Sequence, residues 1–136
     1  MKQIIVLMSA VLFLAACASQ TSTWRNMSES EIASWRKAGV VAEDVDKYVK
    51  EDMSAREVLD WKNQGFTKVE DILAWKRGNF TSSEAKEWHD KGFNVTEAKA
   101  WVKNKFELTE AARWKNADFT LEQAIKNRAK GLIPNP

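Results

Sequence analysis

The chain has one cysteine, Cys17, and one histidine, His89. A thiolate metal site, a disulfide or a Cys-His nucleophile pair therefore has almost nothing to be built from. Its charges nearly cancel, with 21 basic against 19 acidic residues. That balance removes the general electrostatic case for binding nucleic acid or an anionic membrane surface. The five glycines, Gly39, Gly65, Gly78, Gly92 and Gly131, each stand alone, so no phosphate-cradling loop is present. No segment alternates apolar and polar residues as a strand would. The one long apolar run, Ile4 to Leu14, interrupted only by Ser9, is too short to cross a membrane as an ordinary helix.

That run follows Lys2 and ends in Leu14-Ala15-Ala16-Cys17, the order of a signal peptide: a positive start, an apolar stretch and small residues at the cut. These four residues resemble the lipobox of bacterial lipoproteins. The resemblance covers residues 1–17 and implies removal of residues 1–16, with lipidation of Cys17. It also implies a second acylation of the new amino group, giving a stable membrane anchor. Ala18 stands where lipoproteins kept at the inner membrane often have Asp, which favours the outer membrane if the cell is Gram-negative. Residues 17–23 then form a short polar tether.

From about Ser22 onward the chain is a tandem repeat. Units begin at Ser22, Trp35, Tyr48, Trp61, Trp75, Trp88, Trp101, Trp114 and Asn127, spaced by 13 residues except for 14 between Trp61 and Trp75. Each column of the unit has a physical meaning. The seventh holds Ser28, Val41, Ser54, Thr67, Thr81, Asn94, Glu107 and Thr120, mostly residues that cap a helix start. Three residues later stand Glu31, Asp44, Glu57, Glu70, Glu84, Glu97, Glu110 and Gln123, the second half of a capping box. Val41 and Glu107 are the weak caps. The fifth column, including Gly39, Asp52, Gly65, Asn79, Gly92, Asp118 and Gly131, favours the left-handed conformation that closes a helix. Only Lys105 departs from it.

The sixth column, Met27, Val40, Met53, Phe66, Phe80, Phe93, Phe106, Phe119 and Leu132, falls after one helix and before the next cap. It is placed to pack back on the column-one Trp and forward on the fourth residue of the following helix. Phe93 is expected to bridge Trp88 and Ala98. The extra residue before Trp75 is expected inside a helix, with a local change of superhelix. Leu132 is expected to be the last packing residue of a C-terminal cap, with Pro134 and Pro136 stopping further helix.

The expected fold is all-α. About eight helices of some ten residues, such as Val95 to Asn104, are joined by three-residue turns over residues 24–136 and form a compact superhelix. Such short helices are marginal alone and must stack. Most of the seven tryptophans are then expected to be core, and Trp24 is the first expected to be exposed because it lies off the column. His89 is read as a polar residue of a last helical turn, and the Glu column as caps, so no catalytic, cofactor or metal site is expected.

These readings describe a lipid-anchored envelope protein, attached to the membrane through Cys17, whose array holds a protein partner; nucleic acid is not expected. The other readings are binding of peptidoglycan or polysaccharide through exposed aromatics, and phage superinfection exclusion. The last rests on helix starts such as Phe80-Thr81-Ser82-Ser83-Glu84-Ala85, which resemble those of small helical lipoproteins by which some phages exclude others.

Overall fold

The structure, a computed structural model, describes Trp24 and residues 26–134. The signal-peptide, Cys17 and tether assignments, residues 1–23, lie outside the described residues, as do the last two residues. Among the described residues the fold is all-α, with eight helices: α1 Glu29–Lys37, α2 Ala42–Val49, α3 Ala55–Asn63, α4 Val69–Arg77, α5 Ser82–Asp90, α6 Val95–Lys103, α7 Leu108–Asn116 and α8 Leu121–Ala129. Most have nine residues, and four or five residues separate consecutive helices, slightly longer connections than the three expected.

Every helix closes in the same way. The column-six amide donates to the column-one carbonyl, as Phe93 N does to Trp88 O at 3.1 Å, while the column-five amide donates one turn inward, as Gly92 N does to His89 O at 2.9 Å. This is the Schellman pattern. It requires positive φ at column five, which is found at Gly39, Asp52, Gly65, Asn79, Gly92, Lys105, Asp118 and Gly131. Lys105 adopts φ 62° despite its side chain. Its Cβ is strained there and glycine's absence of one is not, so Lys105→Gly should stabilise the fold by about 1 kcal/mol or less, after glycine's entropy cost. Denaturant midpoints of the two proteins would show it, and an unchanged or lower midpoint would mean that the lysine side chain contributes more than its backbone strain costs.

The helix starts follow the caps with two differences. Complete capping boxes form at Ser28/Glu31, Thr81/Glu84, Asn94/Glu97 and Thr120/Gln123. Ser54 caps α3, but Glu57 turns away to meet Lys76 Nζ at 2.6 Å. Val41 and Glu107 make no capping bond. In α4 the cap is Lys68, with no side-chain bond, where Thr67 and Glu70 were expected to form the box. The extra residue of the 14-residue unit is thus absorbed in the turn and not inside the helix. A turn can lengthen by one residue at little cost, whereas an extra residue within α4 would interrupt the hydrogen-bond ladder of the helix.

The core is a continuous ladder of rings. Trp61, Phe66, Trp75, Phe80, Trp88, Phe93, Trp101 and Phe106 follow one another edge to face, with centroids 4.9 to 6.3 Å apart. Phe66, Phe80 and Phe93 are each held between the Trp before and the Trp after. The residue at the fourth position of each helix is buried, and in all but α4, where Phe66 precedes Ile72, it is larger after a Met or Val in column six than after a Phe. Val40 precedes Val45 and Met53 precedes Val58, but from Phe80 onward every Phe precedes an alanine: Ala85, Ala98, Ala111 and Ala124, all fully buried. Interiors are close-packed, so a larger ring needs a smaller neighbour. Six tryptophans are buried and Trp24 is half-buried under the Arg36 guanidinium, 5.9 Å from its ring. Leu132 donates its amide to Asn127 O but its side chain is exposed. It was expected as the last packing residue; column one there is Asn127, which offers no ring to cover, and Pro134 is buried instead.

Tyr48 takes the Trp place in α2, stacked on Trp35 with centroids 6.2 Å apart. Its hydroxyl is buried and has no protein hydrogen-bond partner among the described residues. Burial first, then the carboxylates of Asp44 and Glu70, push its pKa up to about 12. Above pH 10 the unfolded chain gives up this proton while the folded chain keeps it, so stability should fall as pH rises from about 10 towards about 12. Tyr48→Phe should remove that dependence. At pH 7 it should be neutral or stabilising by up to about 1–3 kcal/mol, because a buried polar group with no partner costs that much; chemical denaturation at both pH values tests this.

Candidate functional site

α1 packs on α3, α2 on α4 and α3 on α5, so the array advances by two helices per turn. The C-terminal end of each helix comes back beside the turn that opened the preceding one. Column two sits at that meeting point, and its cations bind the layers together. Lys62 Nζ donates to Gly39 O at 2.6 Å, and Lys76 Nζ reaches Glu57 at 2.6 Å. Lys115 Nζ donates to Gly92 O at 2.7 Å and to both oxygens of Glu97 at 3.0 and 3.1 Å. It also lies 4.4 Å from the Phe93 ring centroid. Arg128 donates to Asn104 O at 2.6 Å and Lys105 O at 2.9 Å. Its guanidinium carbon lies 3.5 Å from the Phe106 ring centroid.

The fully developed seat therefore has three parts: the carbonyl of a left-handed column-five residue, the face of the column-six ring and the carboxylate of the capping Glu. The carbonyl is available because it follows the helix and has no intrahelical partner. The ring face attracts a cation through its quadrupole. Two capping carboxylates are held below the usual range: Glu97 first by the Asn94 backbone amide and further by Lys115, Glu84 by the Thr81 backbone amide and hydroxyl.

Column two lacks a lysine or arginine at three interior positions, Val49, His89 and Val102, and at each a surface groove opens. Beside Val49 a groove of about 490 Å³ is lined by Met27, Glu31, Trp35 and Arg56. Beside His89 one of about 440 Å³ is lined by Phe66, Lys68, Asp71, Lys86, Asp90 and others. There the imidazole, still largely exposed, meets the Phe66 ring edge-on at 5.9 Å. Beside Val102 the groove is about 590 Å³ and is walled by Asn79, Phe80, Glu84, Glu87, Lys105 and Glu107, among others.

His89 stands where a lysine would bridge, and it is too short to do so. Among the described residues no group of three or more His, Cys, Asp or Glu side chains is placed to hold a metal ion. Four members of the Glu column, Glu31, Glu84, Glu97 and Gln123, complete capping boxes as the spacing implied, and four take part in ion pairs between layers: Glu57, Glu97 and Glu110 with Lys76, Lys115 and Arg128, and Glu70 with Lys47 at 4.0 Å. Helix dipoles account for basic residues near helix ends but not for this bridging, which the sequence reading missed. The available signal was the offset of 18 or 19 residues between Glu57, Glu97 or Glu110 and its cation. Cys17, the expected lipidation residue, lies outside the described residues. No family model matches this chain, and neither a curated protein nor a solved structure matches it.

Proposed function

We propose that the chain is a membrane-anchored lipoprotein of the bacterial cell envelope whose helical array serves as a protein-binding module. Residues 14–17 support the anchor through their lipobox pattern. The observation that carries the binding reading is the interruption of the cation column. The grooves beside Val49, His89 and Val102 are made by departures that the fold does not need, since the repeat elsewhere fills the same place with its own side chain. Their walls mix charged groups with aromatic and aliphatic surface, the composition of a protein-binding patch. The tryptophans give no comparable support to a sugar-stacking reading, because six of them are buried in the ladder.

In-cell crosslinking followed by affinity purification from membranes tests this reading. A specific protein partner, recovered repeatedly with the intact chain, is the expected result. Membranes that yield no specific partner would sink it.

A further inference from the structure

We propose that the groove beside Val102 is a vacant cation seat that takes a lysine or arginine side chain from the surface of a protein partner. This deepens the protein-binding reading above and rests on it. In the two units that follow, the seat is occupied: Gly92, Phe93 and Glu97 hold Lys115, and Lys105, Phe106 and Glu110 hold Arg128. In the unit before them the same three parts are present as Asn79, Phe80 and Glu84, and all three line the groove. The backbone is the same as well, with Asn79 at φ 63° and the Thr81/Glu84 box complete. Only the cation is replaced, by Val102, which is 45% exposed.

Charge favours a basic occupant. Glu84 uses Oε2 to hold the Thr81 amide and hydroxyl at 2.8 Å, and neither Glu84, Glu87 nor Glu107 has an ion pair among the described residues. Lys105 is the one cation on this wall, so three carboxylates face one ammonium. Lys99 and Lys103 line a smaller groove, of about 270 Å³, that shares Gly78, Phe80 and Val102 with it. The other two gaps fit a cation less well: the Val49 groove has Met27 in place of a ring and contains Arg56, and at His89 the inserted residue has moved the cap to Lys68.

Two variants and a small probe test the seat. Val102→Lys should fill it from within and raise the denaturation midpoint. Glu84→Gln should keep the helix start, because Thr120/Gln123 shows that a carboxamide completes this box. Amide-resolved NMR titration with N-acetyl-arginine-amide should shift Asn79, Phe80, Glu84 and Val102. Binding should weaken roughly tenfold in Glu84→Gln, the scale of one charge-assisted hydrogen bond, and vanish in Val102→Lys. N-acetyl-leucine-amide should leave these signals unmoved. Shifts that survive Val102→Lys, or that match the leucine probe, would overturn the assignment.

In cells, a photo-crosslinker at position 102 should join a lysine- or arginine-bearing segment of the partner, and Val102→Lys should lose that partner. Equal capture by both forms would defeat the seat while leaving the binding module standing. No capture by either, with the probe shifts intact, would defeat the module reading instead. A concentration-dependent dimer abolished by Val102→Lys would place a second copy's cation there and overturn a foreign partner.

Discussion

Phe93→Ala should cost about 3–5 kcal/mol of stability, the range for truncating a buried aromatic side chain. Phe93 is 1% exposed and meets Trp88 at 4.9 Å and Trp101 at 6.0 Å, both edge to face. Its other face carries the Lys115 ammonium, so the substitution also removes one part of a filled cation seat. The cavity cannot collapse easily, because Ala98 beside it is already minimal and the flanking tryptophans are held by their own helices. A loss of this size is a large fraction of the roughly 5–15 kcal/mol that stabilises a typical domain. Phe119→Ala provides the internal comparison. Phe119 is half-buried and pairs with Trp114 alone, at 5.1 Å, so its loss should be clearly smaller. Urea denaturation of both variants decides: equal costs, or a cost near zero at Phe93, would mean that the ring ladder does not hold the array together.

Cys17→Ser should abolish incorporation of labelled fatty acid and move the protein from the membrane to the soluble fraction. Membrane affinity from acyl chains grows by about 0.8 kcal/mol per buried methylene, so one chain gives marginal binding and two or more give a stable anchor. None of the described helices is long and apolar enough to cross a membrane. The near balance of charge offers little electrostatic attraction to replace the lipid. Serine keeps the size of the side chain but lacks the thiolate that lipidation alkylates. Retention of the serine variant in washed membranes would remove the anchor from the proposal and point to attachment through a membrane-bound partner.

The repeat was highly legible because its information is local. Caps, left-handed closures and the ring after each closure are set by residues within five positions of one another, and a single sequence displays them directly. Lys105 shows how strong the pattern is: a residue type that disfavours the left-handed region still adopts it, because the hydrogen bonds and the packing of Phe106 on either side demand it. The misplacement of the extra residue near Trp75 has a related cause. Both placements preserve the Ile72 to Trp75 spacing, and only packing against neighbouring helices distinguishes a longer turn from a bulged helix. At Leu132 the column sets the backbone, whose amide donates to Asn127 O, but burial of the side chain depends on a ring that Asn127 does not supply.

The 13-residue unit by itself determined that the described residues fold as eight short helices, where most of those helices begin and end, and that most of the tryptophans are buried. Capping and helix closure are energetics of neighbouring residues, so no tertiary knowledge was needed for them. Only the tertiary structure decided which cations meet which carboxylates, because those contacts join residues two helices apart whose alignment depends on how the layers stack. That same stacking gives Val49, His89 and Val102 their meaning. In the sequence they are three ordinary exceptions in a basic column, and in the folded array they are the places where the protein leaves its own seats open.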